Sequence, residues 1–312
     1  MTHPLTLETV RMAAARIRPY VLRTPTLRVP HEDCDLWCKA ESLQSIGAFK
    51  LRGAFSLMTT LPKDCAGVVT DSSGNHAQAV ARAAKVLGIK ATIVMPEGAP
   101  PIKRARAAAD GATIVTGPND SEALEALSKR IAQEQGLCRV PPYDHPLIAA
   151  GQGSAALELL EDATDIDQFF CPVSGGGLIS GCATVFAALS PKTEIIGVEP
   201  ELANDTYLSL QAGERTKIPP PNTLADGLRV RIPGAFTWTV IKKHVNRIAL
   251  VSEDAIQEAM IWATSHLRLV LEPSGATALA AALAEGRGRC AVLLSGGNVD
   301  PKLFAEVLNR VH

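Results

Sequence analysis

The sequence lacks an excess of charge of either sign and any long apolar run. Its 31 basic residues nearly balance its 32 acidic ones, so the formal net charge is -1 and no overall field exists to hold nucleic acid or an anionic bilayer. The longest apolar run, residues 278–284, is far shorter than the roughly 20 residues of a membrane-spanning helix. These absences favour chemistry on small molecules, with neither nucleic acid nor membrane as a partner.

Targeting and disulfide signals are also scarce. Residues 1–4 contain no basic segment that leads into an apolar one, so we expect no secretory signal and a cytoplasmic location. The seven cysteines form an odd, scattered set, which predicts reduced, mostly buried thiols rather than a disulfide framework. Cys34 and Cys38 are the only close pair, and with no second cluster of Cys or His beside them they make a poor zinc site.

Short apolar segments alternate with stretches of helical character along the chain. The segments are too short for typical helices and rich in Val, Ile and Thr, which indicates buried parallel strands joined by crossover helices. We therefore predict a doubly wound α/β protein. The predicted strands are 66–70, 91–95, 112–116, 168–173, 194–198 and 290–294, and the predicted helices are 75–87, 121–135 and 181–189.

The length predicts two domains, because 312 residues are many for one compact unit. Three prolines in RVPPYDHP, residues 139–146, mark one crossing between the domains. A second crossing should precede the strand at residue 66. We expect two doubly wound parallel-sheet domains, a large one of residues 1–66 and 146–312 and a small inserted one of residues 67–145, with the ligand site in the cleft between them.

One lysine has an unusual setting. The segment GAFKLRGA, residues 47–54, places Lys50 between Phe49 and Leu51, after a glycine and where a helix could begin. Apolar neighbours and the positive end of a helix both disfavour the ammonium form and would prepare a free amine for imine chemistry. The alternative is a surface lysine whose stem packs on the protein.

The glycine-rich segment SGGGLISG, residues 174–181, follows a predicted strand and opens a helix. Its consecutive glycines would leave backbone N–H groups free to bind a phosphate. Gly175 and Gly177 also give the G-x-G of a dinucleotide site, and Glu199 lies where a ribose-binding acid would. A nicotinamide-dependent oxidoreductase is therefore the rival interpretation, although Ser180 in the third glycine position argues against it.

Two more polar turns follow predicted strands. DSSGNHAQ, residues 71–78, would bring Ser72, Ser73 and a helix N-terminus to one carboxylate-sized site, unless it is only an ordinary capped helix. LSGGNVD, residues 294–300, ends the last strand with a hydroxyl and two glycines. GQGSA, residues 151–155, follows no convincing strand and is predicted to be a turn that enters a helix.

Five motifs in this order, AFKLRGA, SSGNHAQA, SGGGLISG, EPSGA and LSGGNVD, cover nearly the whole chain. Together they resemble the serine/threonine dehydratase and serine racemase family of pyridoxal-phosphate (PLP) enzymes, which includes 3-hydroxyaspartate dehydratases. The resemblance implies the tryptophan synthase β-like fold (fold type II), PLP as cofactor and a homodimer. It implies that Lys50 carries PLP as an imine and that Phe49 packs on the ring. The other cofactor-binding residues it implies are Asn75, Ser174, Gly175, Gly176, Gly177, Leu178 and Ser295.

The implied reaction is loss of the β-hydroxyl of serine, threonine or 3-hydroxyaspartate, which gives a keto acid and ammonia. Ser295 would face the pyridine nitrogen, and a neutral partner there makes a weaker electron sink than an aspartate, which favours elimination. Lys50 would remove the Cα proton. Ser73, on the opposite face, could return a proton with inverted configuration, so racemisation is an alternative or second activity. The substrate carboxylate is expected on the turn formed by Ser72, Ser73, Gly74, Asn75 and His76.

The segment EPELAND, residues 199–205, has the spacing by which serine racemases of the eukaryotic type bind a divalent cation. The resemblance assigns the Glu199 and Asp205 carboxylates and the Ala203 carbonyl to this ion. Oxygen ligands suit Mg²⁺, Ca²⁺ or Mn²⁺. The alternative is a pair of solvated acids after a strand.

The choice among substrates depends on a further cation. A second substrate carboxylate would need one, and Arg104, Arg130 or Arg139 could supply it. The chain ends soon after LSGGNVD, so we expect no regulatory domain like that of biosynthetic threonine dehydratases and no feedback control by isoleucine.

Overall fold

The computed structural model describes residues 4–32 and 34–310, and within them ten strands form two sheets. The strands are β1 (Thr26–His31), β2 (Cys34–Ala40), β3 (Val68–Asp71), β4 (Ala91–Pro96), β5 (Thr113–Gly117), β6 (Cys138–Arg139), β7 (Gln168–Pro172), β8 (Glu194–Pro200), β9 (Arg247–Val251) and β10 (Gly288–Leu294). The larger sheet has the order β1-β2-β10-β7-β8-β9 and the smaller β5-β4-β3-β6. All neighbours pair in parallel except β1 and β2.

Helices connect the strands. They are α1 (Leu7–Ile17), α2 (Lys50–Met58), α3 (Asn75–Leu87), α4 (Pro101–Ala109), α5 (Ser121–Gln135), α6 (Pro146–Asp162), α7 (Gly177–Leu189), α8 (Asp205–Ala212), α9 (Ala235–His244), α10 (Glu253–Trp262), α11 (Pro273–Glu285) and α12 (Pro301–Leu308). Among the described residues, none of these helices is long and apolar enough to cross a bilayer.

The larger sheet is covered on both faces, as the strand β7 shows. Phe169 packs in the core with α6 and α7, and the next residue, Phe170, packs in the core with α10 and α11. Successive strand residues point to opposite faces, so an apolar run such as QFFCP requires cover on both. The predicted doubly wound α/β fold is confirmed.

The smaller sheet is formed by residues between Val68 and Arg139, inside the span predicted for the small domain. A third core joins residues on both sides of the predicted boundary at residue 66, because Leu51 and Phe55 of α2 pack with Ala77 and Val80 of α3. The domain limits stay a prediction, and their ends at residues 1 and 312 lie outside the described residues.

The segment GQGSA is not a turn, as the sequence predicted, but lies inside α6. A Cβ on Gly151 would lie 2.5 Å from the Arg52 carbonyl oxygen of α2, and one on Gly153 would lie 2.7 Å from the Gly181 carbonyl oxygen of α7. These glycines therefore let three helix backbones approach each other closely.

The cysteines depart from the prediction in one pair. Cys65, before β3, and Cys138, in β6, form a disulfide between neighbouring parts of the smaller sheet, which the odd count did not indicate. The other five cysteines are buried, as predicted.

Candidate active site

A cleft opens where the carboxyl ends of both sheets meet. Adjacent strands β7 and β10 of the larger sheet are followed by Ser174 and Ser295, and β3 of the smaller sheet leads into the turn 71–76. All three segments line the cleft together with the start of α2. The predicted cofactor and substrate residues that line it are Phe49, Lys50, Ser72, Ser73, Gly74, Asn75, His76, Ser174, Gly175, Gly176, Gly177, Leu178 and Ser295.

Lys50 is the first residue of α2 and is half-buried at the base of this cleft. Its Nζ donates a hydrogen bond to the Pro142 carbonyl oxygen at 2.8 Å and lies 5.2 Å from the centre of the Phe49 ring. Burial lowers the pKa of the Lys50 amine to about 8. An appreciable share of the amine is therefore uncharged near neutral pH, as a nucleophile or base requires.

Arg52 anchors α2, a role that sequence reasoning missed. The guanidinium is fully buried and binds the Glu41 carboxylate through two nitrogens at 2.8 Å each. It also binds both carboxylate oxygens of Glu158 on α6 at 2.7 Å. Such forked pairs fix a side chain in angle as well as position, so they hold the helix start that carries Lys50. The only sequence signal was a second charged residue, besides Lys50, in the motif GAFKLRGA.

The glycine loop after β7 forms an open cradle. Ser174 and Gly176 adopt left-handed backbone angles, with φ of 53° and 89°, and α7 begins at Gly177. A Cβ on Gly176 would lie 2.8 Å from Cβ of Thr237, and one on Gly175 would overlap the Tyr143 ring. Neither position has room for a side chain, and the loop leads into a helix N-terminus, where backbone N–H groups are available to an anion.

The turn after β3 offers hydroxyls and open space. Ser72 and Ser73 are half-buried before α3, and a Cβ on Gly74 would meet nothing within 4 Å. His76 is buried, one of its ring nitrogens lies 2.9 Å from the Val140 carbonyl oxygen, and burial lowers its pKa to about 3. Its ring is therefore neutral, and it holds the turn against the segment that follows β6.

Glu272 also lines the cleft, although sequence reasoning did not single it out from EPSGA. Asn75 donates a hydrogen bond to its carboxylate at 2.6 Å and accepts one from Asn298 at 2.8 Å. Burial and the charge of Asp226 raise the pKa of Glu272 to about 7. This network fixes the Asn75 amide, and Ser295, buried nearby, donates to the Ser274 carbonyl oxygen at 3.3 Å.

The predicted metal ligands lie outside the cleft lining but close to each other. Glu199 lies near the end of β8 and Asp205 is the first residue of α8. Ala203 lies in the turn between them, and all three residues are buried. Glu199 accepts hydrogen bonds from the Thr206 and Tyr207 backbone N–H groups at 3.2 and 2.9 Å. Burial raises the pKa of both carboxyls, and their mutual repulsion adds to the effect at Asp205.

The carboxylate of Asp205 is buried without any hydrogen-bond donor among the described residues. Neither carboxylate oxygen of Asp205 has a hydrogen-bond partner within residues 4–32 and 34–310. Within the same residues, no three side chains of His, Cys, Asp or Glu come together as a metal cluster. A site with two carboxylates would therefore need a carbonyl oxygen as its third protein ligand.

None of the three arginines proposed from the sequence for a second substrate carboxylate lines the cleft. Arg139 binds Asp71 at 3.0 Å, Arg104 donates to the Pro96 carbonyl oxygen at 2.7 Å, and Arg130 is exposed beside Glu134. The cations that line the cleft besides Lys50 are instead Lys103 and Arg106, both on α4.

Comparison with known proteins gives one consistent set of relatives. The profile of the family described as pyridoxal-phosphate dependent enzyme matches residues 17–296. L-threo-3-hydroxyaspartate ammonia-lyase of Saccharomyces cerevisiae is 40% identical, with 95% of this chain and 94% of that protein aligned. Serine racemase of Schizosaccharomyces pombe is 37% identical over 98% of both chains. The crystal structure of T.th. threonine deaminase superposes with a TM-score of 0.90 at 42% identity, covering 95% of this chain and 99% of that one.

Proposed function

The chain belongs to the family of pyridoxal-phosphate-dependent enzymes, and on this premise we propose that it is an ammonia-lyase acting on a β-hydroxy amino acid. The proposed substrates are serine, threonine and 3-hydroxyaspartate, and the products are a keto acid and ammonia. The observation that carries the proposal is that one cleft brings together three features. They are the half-buried amine of Lys50, the glycine-rich loop after β7 and the carboxylate-sized turn after β3. A nicotinamide-dependent oxidoreductase would leave this amine without a task.

The residues of the cleft fit PLP. The loop from Ser174 to Leu178 would hold its phosphate, because it lines the cleft and ends at the N-terminus of α7, where backbone N–H groups can bind an anion. Asn75 would hold the ring hydroxyl, Phe49 would pack on the ring and Ser295 would face the pyridine nitrogen. PLP, when bound, supplies the electron sink that stabilises charge on the substrate Cα.

The chain's own groups would bind the substrate and move its protons. The substrate carboxylate would lie on the turn 72–76, where hydroxyls and the N-terminal N–H groups of α3 can donate hydrogen bonds. Lys50, with its lowered pKa, would take the proton from Cα, and the β-hydroxyl would accept one proton as it leaves, so that the net loss from the substrate is one molecule of water. The water lost is regained when the released enamine hydrolyses to keto acid and ammonia, so no oxidant or reductant is needed.

We propose racemisation as a second activity, because Ser73 lines the same cleft as Lys50. A hydroxyl on the face of the substrate opposite Lys50 could return a proton to Cα with inverted configuration. The serine racemase of Schizosaccharomyces pombe, 37% identical to this chain, makes this activity worth measuring beside elimination.

We propose that Glu199, Asp205 and the Ala203 carbonyl bind a divalent cation, Mg²⁺ in preference to Ca²⁺ or Mn²⁺. The support is a pair of buried carboxyls that repel each other, with both Asp205 oxygens lacking a partner within the described residues. Burying two like charges without a cation is costly. A hard cation would relieve that repulsion through oxygen ligands.

Two further expectations stay predictions from the sequence. A homodimer is implied by the family resemblance, and size-exclusion chromatography with light scattering tests it. A cytoplasmic location is predicted from the absence of a secretory pattern, and fractionation of cells that express the tagged protein tests it.

A panel assay tests the proposed function. The holoenzyme is incubated with L- and D-serine, L-threonine and threo-3-hydroxyaspartate, and keto acid, ammonia and the enantiomer ratio are measured together. We expect equal amounts of keto acid and ammonia from at least one substrate, together with a visible absorbance band that borohydride abolishes. Absence of keto acid from every substrate, in protein that shows this band, overturns the proposal.

A further inference from the structure

The charged groups around the cleft are paired in all places but one. Lys103 binds Asp226 at 2.6 Å across the mouth of the cleft, and Asp71 binds Arg139 at 3.0 Å. Glu272 accepts the Asn75 hydrogen bond described above. These pairs satisfy the acidic groups of the lining, and Lys50 is committed to the cofactor under the proposed function.

Arg106 is the exception. It lies on α4, lines the cleft and is exposed, and its guanidinium has no hydrogen bond or ion pair to any residue in 4–32 or 34–310. Its charge, with that of Lys103, acts on the Glu272 carboxyl and lowers its pKa. Because Glu272 binds Asn75, the Arg106 guanidinium lies within electrostatic reach of the turn proposed to bind the substrate's first carboxylate.

The chemistry of an unpaired guanidinium in this position is specific. Arginine stays protonated at all ordinary pH values and presents a planar fork of donors that matches a carboxylate. An anion that reached Arg106 would not have to displace a partner from it, whereas at Lys103 it would have to break the bond to Asp226. Serine and threonine carry no second anionic group, but 3-hydroxyaspartate does.

We propose that Arg106 binds the second carboxylate of the substrate, so that this enzyme prefers β-hydroxy dicarboxylic amino acids over serine and threonine. The proposal rests on the proposed function and names the substrate class of that same site. One carboxylate would lie on the turn 72–76 and the other against α4, so the wall formed by the smaller sheet contacts both ends of the substrate. Arg106 is a specificity residue here and takes no part in proton transfer.

The test compares wild-type holoenzyme with Arg106→Gln for threo-3-hydroxyaspartate and for L-serine. A charged hydrogen-bonded pair lost on substitution weakens binding roughly 10- to 100-fold, so we expect KM for hydroxyaspartate to rise by this factor with little change in kcat. The loss in kcat/KM should be at least roughly tenfold larger for hydroxyaspartate than for serine. Arg106→Lys should recover part of the difference, because it keeps the charge but loses the fork.

Arg130→Gln is the matched control, since it removes the same charge from an exposed arginine on α5 that does not line the cleft. A second readout is inhibition of serine turnover by succinate and by propionate. Succinate should inhibit the wild type more strongly than propionate, and Arg106→Gln should abolish that difference.

The outcomes separate the two proposals. Turnover of serine or threonine with no preference for hydroxyaspartate, or an equal loss with every substrate in Arg106→Gln, overturns the role of Arg106 and leaves the ammonia-lyase intact. No turnover of any substrate overturns both. If the Arg106→Gln protein misfolds, the wild type still provides a test through its inhibition by succinate and by propionate. Equal inhibition of the wild type by the two compounds also rejects the proposal.

Discussion

The two walls of the cleft are built differently. The wall of the larger sheet presents backbone groups and neutral side chains held by packing, such as the loop at Gly175 against Tyr143 and the buried Ser295. The wall of the smaller sheet presents half-buried hydroxyls at Ser72 and Ser73 and the exposed cation of Arg106. Fixed groups suit a ligand that stays, and adaptable ones suit a ligand that is exchanged at each turnover. The contrast supports our proposal that the larger sheet supplies the phosphate-binding loop for the cofactor and that the smaller sheet selects the substrate.

Lys50 begins α2, where the two walls meet, and its loss should have the largest effect. Lys50→Ala should lower keto acid formation by at least roughly a thousandfold, because one substitution removes both the cofactor attachment and the base. The measurement is single-turnover release of keto acid, with borohydride labelling as a check on attachment. Lys63→Ala, an exposed lysine, is the control, and a Lys50→Ala protein that retained the label would contradict the assignment.

The lowered pKa of Lys50 makes a separate prediction about pH. Only the uncharged amine attacks an aldehyde, and with a pKa of about 8 roughly a tenth of it is uncharged at pH 7. Covalent uptake of PLP by cofactor-free protein should therefore accelerate about tenfold per pH unit up to about 8 and then level off. His76 beside it stays neutral over this range. Acceleration that continued to pH 10 would show an amine with an ordinary pKa.

Ser73 is on the wall of the smaller sheet. Its removal should change the ratio of racemisation to elimination more than the rate of elimination. Ser73→Ala should lower racemisation by roughly a hundredfold, the usual effect of losing one acid–base group, while elimination falls less. The two products of one incubation serve as internal controls for each other. Equal losses in both would mean that Ser73 only positions the substrate, and unchanged racemisation would remove it from the two-base scheme.

A substitution at Gly176 tests whether PLP binding by the wall of the larger sheet depends on the backbone conformation of its loop. Gly176→Ala forces a side chain into a residue with φ of 89° and places it 2.8 Å from Thr237. We expect roughly tenfold weaker PLP binding together with a loss of stability of about 2 kcal/mol. Gly136→Ala is the control, because Gly136 has φ of 63° but nothing within 4 Å of its Cβ. It should lose stability without weaker PLP binding.

The sequence predicted best those features that local signals determine. The helices α3 and α5 have the predicted ends, since Asp120 caps the start of α5 and left-handed Gly88 and Gly136 end the two helices. The strands that form the centre of each sheet were identified from their continuous apolar runs. The missed strands β1, β2, β6 and β9 include both edges of the larger sheet and one edge of the smaller, where a strand need not be apolar on both faces.

The predictions that were wrong concern features that depend on contacts between residues distant in sequence. Gly151 lies in a helix because of what α2 places beside it, which no local pattern records. Arg139 and Arg106 are the same residue type and cannot be distinguished in the sequence. In the structure Arg139 is paired with Asp71, while Arg106 lines the cleft. Which charge is available for a ligand is therefore decided by tertiary pairing and not by residue type.

The cation proposed at Glu199 and Asp205 belongs to the larger sheet, so its effect should be on stability and not on substrate preference. Saturating Mg²⁺ should stabilise the wild type by about 2.7 kcal/mol at a hundred times its Kd, measured by thermal unfolding with and without chelator. Asp205→Asn should lose this increment yet be more stable than the wild type in chelator, because the substitution ends the repulsion between the buried carboxylates. Glu201→Gln, an exposed acid in the same segment, should keep the full increment. A Mg²⁺ effect that survived in Asp205→Asn would place the ion elsewhere. A change in the ratio of hydroxyaspartate to serine turnover on chelation would contradict the proposal that substrate preference is determined by the smaller sheet alone.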